Sequence, residues 1–341
     1  MENVKNAKIE RKISNMKLKK ILLIILLIII LAGVIYIFAY TGNKNKTNNN
    51  KLNVVVTTFS TYDFVRQVAG DNVNLTFLLG PGVEAHSYEP TASDLAKIQN
   101  ADLFIYVGGE MEEWTGKVLD SLNTKNTKLV CIADYIEKME EEEIDSAEEE
   151  SEEHESEEHV HDHEEGAYDE HIWTSPKNAI KMVEEIEKIL AEKDSKNKET
   201  YETNANNYIN QIKNVQAQIQ QIVDNKVRSR LVFGDKMPMQ YFIKEYNLEV
   251  SAAFAGCSTQ TDPSASTIAK LVQRVKEEQI PVILYIELNN GKVAQTIAKE
   301  TGAKPLQIQT LHNITKDDFT NGETYVSLMQ RNLEVLKQAL Q

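Results

Sequence analysis

No GxSxG elbow, Walker loop or GxGxxG turn occurs in the 341 residues. Nothing therefore marks a serine hydrolase, a P-loop nucleotide site or a dinucleotide fold. A Ser/His/Asp triad would have to be assembled with no motif behind it. Cysteine is scarce too, with Cys131 and Cys257 the only two. An extracellular chain permits a disulfide between them. Two cysteines so far apart in sequence do not establish one, and two buried thiols fit as well. The excess of acid is confined to one block. The formal net charge is −15, yet roughly half of residues 140–170 are acidic, and without them the chain is close to neutral. The acidity belongs to one segment, and no nucleic-acid partner is expected.

The one long stretch without charge is "ILLIILLIIILAGVIYIFAY", residues 21–40. Its length of about 20 residues suffices to span a bilayer as a helix. The Lys/Arg-rich segment before it places residues 1–20 in the cytoplasm and the remainder outside. The expectation is a basic tail (1–20), a transmembrane anchor or signal (21–40) and a polar tether (41–51), holding the protein at the cell membrane. A cleaved signal would have a shorter apolar core and a small-residue site, which "IYIFAYTGNKNK" does not offer. No Cys lies near the end of the run, so no lipid-modified N-terminus is expected.

From residue 52 short β-branched runs alternate with amphipathic ones. "NVVVTT", "VNLTFLL", "DLFIYVG" and "KLVCIA" read as strands. "STYDFVRQVAG", with Ser60 or Thr61 as cap, and "TASDLAKIQNA", with Thr91 or Ser93 as cap, read as helices. "NYINQIKNVQAQIQQIV" sets Ile212, Val215, Ile219 and Ile222 on one stripe, which predicts a long surface helix. Strands "RLVFG", "EVSAAF", "VILYIE" and "PLQIQ" follow, with their own helices. The length allows one large domain or two ordinary ones. The fold expected is α/β, with two Rossmann-like lobes (parallel sheets flanked by helices) joined by one long helix, plus the N-terminal transmembrane helix. The boundaries are an N-terminal lobe over 52–175, a helical region over 176–225 and a C-terminal lobe over 226–341. Within the first lobe, residues 138–168 form a polar insertion with too few apolar side chains to offset the entropy of ordering.

Histidine is rare, and five of the seven lie in residues 152–176. His154, His159, His161 and His163 stand in the acidic insertion, where nothing fixes them, and are expected to collect metal weakly. The other three, His86, His171 and His312, lie at or near strand-to-helix loops, where ligand sites open in α/β sheets. His86 sits in "GPGVEAHSYEPTASD". His171 sits in "DEHIWTSPKNA", before a Pro-started helix and beside Trp173, which can shield a site. Two such loops on one lobe suggest two imidazoles converging on one cation.

"PGVEAHSYEPTASDL", "DEHIWTSPKNA", "FGDKMPMQYF", "AAFAGCS" and "YIELNNGKVAQTIAKETGAK" together resemble the metal-binding lipoproteins and zinc-uptake binding proteins of bacterial ABC transporters. The motifs occur in the family's order over residues 52–341. The resemblance implies two lobes on a rigid linking helix. It also implies His86 and His171 as ligands from the first lobe, and a zinc-transporting branch marked by the acidic insertion. Its second-lobe ligands map less directly. Asp235 is the sensible occupant of "FGDKMPMQYF", since the ungapped position is Lys236, a poor ligand. Gln309 takes the place of the family's last ligand, with His312 three residues on. Glu287, at the end of "LYIE", is a further candidate or a carboxylate behind the site.

Two imidazoles with one or two carboxylates suit tetrahedral Zn²⁺ better than Mn²⁺, which takes more oxygen ligands. The function expected is zinc capture between the lobes and delivery to a permease with its ATPase subunit, by a monomer that is not an enzyme. The alternatives are a manganese- or iron-specific protein of the same family, an adhesin or surface zinc buffer, and a metal-dependent hydrolase or chelatase. The last would need an open coordination position and a general base, for which the sequence shows no dedicated candidate.

Overall fold

Val54, Val55 and Val56 are buried, as a strand covered by helices on both faces requires. They belong to β1 (Leu52–Val56), beside β2 (Val73–Phe77), β3 (Leu103–Tyr106) and β4 (Lys128–Cys131). The computed structural model describes residues 51–140, 168–254 and 263–341. The first sheet has the order β2-β1-β3-β4, and each pair is parallel, with Leu52 opposite Val73, Val54 opposite Leu103 and Leu103 opposite Lys128. A second parallel sheet holds β5 (Arg230–Lys236), β6 (Glu249–Phe254), β7 (Val282–Ile286) and β8 (Lys304–Ile308) in the order β6-β5-β7-β8. The strand order reverses beside the first strand of each sheet. Such switch points open a crevice at the carboxyl ends of the strands.

Helices follow where caps permit. α1 (Phe59–Ala69) is capped two or three residues earlier than the sequence suggested, because Thr58 supplies the capping oxygen to Thr61 N–H. α2 (Ala92–Gln99) opens on a reciprocal Thr91–Asp94 capping box. α3 (Trp114–Leu119) is short. α4 (Pro176–Lys193) carries Ser175 as cap and Pro176 at its first position. α5 (Lys198–Asp224) runs 27 residues and buries Tyr201, Ala205, Tyr208, Ile209, Ile212, Val215, Ile219 and Val223. Val223 takes the place expected for Ile222, since a stripe of 3.6-residue period drifts by one position over this length. The second lobe adds α6 (Gln240–Glu245), α7 (Ala265–Glu277), α8 (Lys292–Thr301), α9 (Lys316–Thr320) and α10 (Tyr325–Leu340).

α5 packs on α4, α1 and α10, so it touches helices that pack on each of the two sheets. One side chain ties the bundle together. Asp63 of α1 is fully buried. It accepts hydrogen bonds from Arg66 and Gln67 of its own helix, from the Tyr208 hydroxyl of α5 and from the Tyr325 N–H that starts α10. Residues 52–341 form a single compact unit.

The expected membrane helix is corrected. Among the described residues no helix is long and apolar enough to cross a membrane. The longest, α5, sets a Gln-, Asn- and Lys-bearing face opposite its buried stripe, and a bilayer core would leave those groups unsatisfied. The basic tail, the apolar run and the tether over residues 1–50 lie outside the described residues, as do the four insertion histidines. The insertion's two ends meet where Glu140 bridges Tyr168 in antiparallel fashion. Cys131 is a free thiol whose Sγ–H donates to Val107 O; Cys257 lies outside the described residues.

Candidate metal centre

His171 is held before any ion arrives. The chain returns from the insertion with Asp169 N–H donating to Met139 O at 3.0 Å. One oxygen of the buried Asp169 then lies 2.7 Å from both the backbone N and the ring Nδ1 of His171. A carboxylate accepts, so Nδ1 carries the proton, and in the neutral ring the lone pair is on Nε2. This is how a carboxylate orients a metal-binding imidazole. A 3₁₀ turn over Ile172–Thr174 follows, with Thr174 Oγ1 donating to His171 O. Trp173 is fully buried and meets the His171 ring edge-on at 5.4 Å between centroids.

His86 and His312 arrive on two turns fastened to each other. Gly82, with φ +79°, occupies a left-handed backbone that glycine tolerates best. Its N–H donates to Ile314 O at 2.9 Å. The Asn313 side chain bonds the same turn, at Gly82 N–H and Val83 O. On the other side, Leu311 is forced to φ +62°, a strained conformation for a branched residue. Its neighbour Thr310 is buried and held three times. Thr310 N–H and Oγ1–H donate to the Glu287 carboxylate at 2.7 and 2.8 Å, and Thr310 O accepts from Trp173 Nε1–H at 3.0 Å.

The three imidazoles converge. One ring nitrogen from each of His86, His171 and His312 falls within a group whose atoms lie within 4.8 Å of one another. The ring centroids are 5.4 to 6.1 Å apart. Nε2 of His86 and Nε2 of His312 are out of solvent and meet no hydrogen-bond partner among the described residues. Leaving such acceptors unpaired costs about 1–3 kcal/mol each, unless a cation takes them up. Burial pushes the His86 imidazole down to about 4, helped by His171 and Lys236. Burial, His171, His86 and Lys236 push His312 well below the usual imidazole value. Both rings therefore stand neutral at pH 7, the form that binds a metal.

A pH prediction follows. Between pH 6.5 and about 4 the unfolded chain protonates His86 while the folded chain does not. Wherever the unfolded state binds more protons, stability rises with pH. The stabilisation is present above pH 6.5 and is lost as pH falls toward 4. His86→Gln removes this contribution. In the metal-free protein, urea unfolding at pH 7.5 and 5.0 is expected to show a pH sensitivity lower in the variant by about 2 kcal/mol. Equal sensitivities would exclude a depressed His86.

The other expected ligands fall outside the three-histidine group. Asp235 is buried and accepts from Lys236 N–H, Ile286 N–H and the Asn289 amide at 2.8 to 3.2 Å. Burial raises its carboxyl. It lines a cleft of ≈ 520 Å³ with Glu84, Lys236, Glu287 and Lys292. A ≈ 30 Å³ pocket that His312 lines shares Glu84, Ile286, Glu287 and Leu288 with this cleft. Glu287 is engaged with Thr310, and burial raises its carboxyl too. The Gln309 backbone is bonded at both N–H and C=O by the buried Asn332, and its amide donates to Gln307. None of Asp235, Glu287 and Gln309 falls in the three-histidine group. Sequence reasoning passed over Asp169, although a carboxylate two residues before a histidine in a turn is a usable signal.

The chain matches the family model of zinc-uptake complex component A, periplasmic (ZnuA), over residues 54–339. The chain belongs to this family. Curated relatives agree. The zinc-binding lipoprotein AdcA of Streptococcus pneumoniae (strain ATCC BAA-255 / R6) is 35% identical over 328 residues, 94% of this chain. The chain spans 61% of that relative's length. The high-affinity zinc uptake system protein ZnuA of Bacillus subtilis (strain 168) is 34% identical over 315 residues, covering 91% of this chain and 96% of the relative. Among solved structures, the Zn(II)-bound ZnuA-like domain of Streptococcus pneumoniae AdcA superposes with TM-score 0.70 at 33% identity, over 85% of this chain and 99% of that one.

Proposed function

We propose that the chain is the substrate-binding protein of a zinc ABC importer, capturing Zn²⁺ between its lobes outside the cytoplasm and handing it to a membrane permease served by an ATPase. The observation that carries this is the convergence of three imidazoles, His86 and His171 from the chain before α4 and His312 from the chain after β8. His86, His171 and His312 are the proposed ligands. Asp235 and Glu287 act behind them, as the carboxylates that hold the second lobe's loops. The relatives' names support zinc as the cargo, and the periplasmic component named by the family model supports an extracytoplasmic location.

The donor set suits the cargo. Neutral imidazole is a good ligand for Zn²⁺, and Mn²⁺ prefers more oxygen. His154, His159, His161 and His163 of the insertion are proposed to collect zinc loosely and feed the site. The purified chain, stripped of metal and titrated against a chromophoric chelator, is expected to bind one Zn²⁺ tightly and to prefer it over Mn²⁺ by at least ~100-fold. Equal affinities for the two ions would overturn zinc as the cargo.

A further inference from the structure

Three imidazoles leave the charge of a bound Zn²⁺ untouched. The surroundings add to the problem, because Lys236 is close enough to disfavour protonation of both His86 and His312. A buried dication without a counter-charge carries a desolvation cost of several kcal/mol. A tetrahedral shell also requires a fourth donor.

The nearby carboxylates differ in how they are employed. Asp169 is engaged with the His171 backbone and ring. Glu112 accepts from Val107 and Gly108 N–H. Asp235 and Glu287 hold the second lobe's turns. Glu84 is exposed, and its oxygen faces the His86 backbone at 3.5 Å. Glu170 is placed otherwise. It is 6% exposed, and its Oε1 lies 4.0 Å from His86 Nε2. The same oxygen accepts from Met111 N–H at 3.2 Å, which steadies it. Room for the side chain comes from Gly109, φ +78°, where an added Cβ would stand 2.9 Å from Glu170 Cβ.

We propose that Glu170 is the fourth ligand, its Oε1 completing with Nε2 of His86, His171 and His312 a tetrahedral shell of three nitrogens and one oxygen. This rests on the zinc-capture reading above. Ligands about 2.0–2.1 Å from one ion at a tetrahedral angle sit roughly 3.4 Å apart, so the 4.0 Å gap to His86 closes by about half an ångström on binding. The carboxylate halves the buried charge. It also links the ion to the turn after β3 through the Met111 N–H bond.

Glu170→Gln tests this, because glutamine keeps the volume and the acceptor for Met111 N–H while removing the charge. The variant is expected to bind zinc at least ~10-fold more weakly than wild type. Its Co²⁺-loaded form should lose intensity in the visible bands that report a four-coordinate site. A variant within twofold of wild type and with an unchanged cobalt spectrum would overturn Glu170 as ligand. A crystal structure of the zinc-loaded wild type decides the matter without any variant. Oε1 about 2.0–2.2 Å from the ion supports the proposal, and water in that position with Glu170 beyond hydrogen-bond range of the ion overturns it. Failure of the wild type to bind zinc would instead overturn the capture reading, before Glu170 is in question.

Discussion

Changing His171 to Ala is expected to abolish the proposed tight zinc binding, with a loss of affinity above ~100-fold, more than the ~10–100-fold that removal of a supporting partner causes. Of the three imidazoles, His171 is the most firmly placed. Its Nδ1 is fixed by Asp169 and its ring is walled by Trp173. It therefore gives up little freedom on binding, and its truncation removes the donor with the least entropy left to lose. Truncation also strands the buried Asp169 oxygen without its ring partner. Competition calorimetry of wild type and variant provides the check. An unchanged zinc affinity would refute the three-histidine assignment.

Changing Asp63 to Ala is expected to destabilise the protein by about 3–5 kcal/mol, the range seen when one partner of a buried charged network is removed. The loss has a specific origin. The Tyr208 hydroxyl and the Tyr325 N–H are both buried against this carboxylate, and neither reaches water once it is gone. Arg66 is partly exposed and also donates to Glu323 O, so it is the least harmed. Because Asp63 joins α1, α5 and α10, the cost falls on the attachment of the C-terminal helix to the first lobe. Thermal unfolding should shift by roughly 10 °C, taking about 2–4 °C per kcal/mol for a chain of this size. A shift under about 2 °C would mean that solvent reaches Tyr325 N–H.

The fold was legible because its signals are local. β-branched runs such as "NVVV" have the length of buried strands, and the caps at Thr91, Ser175 and Ser264 lie where Thr or Ser precedes an amphipathic run. The N-terminal cap was misplaced because Thr58, Ser60 and Thr61 offer three hydroxyls within four residues, and sequence does not say which φ/ψ is extended. Among candidate ligands, His86 and His171 stood out by loop and neighbour. The second lobe was harder to read. Asp235 and Glu287 have the right chemistry but are consumed by backbone and side-chain donors, which only packing determines. His312 was legible as a neighbour of Gln309. Its orientation depends on Leu311 adopting a left-handed backbone, which a leucine does not advertise. Glu170 was not considered, because its value depends on a cradle made by Gly109, some sixty residues away.

The Gly82–Ile314 hydrogen bond and the Asn313 clamp hold the turns bearing His86 and His312 together with no ion involved. An ion that slips from one imidazole therefore remains at high effective concentration before the other two. On the proposed three-imidazole site, rebinding is expected to compete with escape and to lengthen the residence time. Swinging the lobes apart as rigid bodies would not unload the cargo while these bonds persist. A partner that empties the site has to prise one short turn from the other.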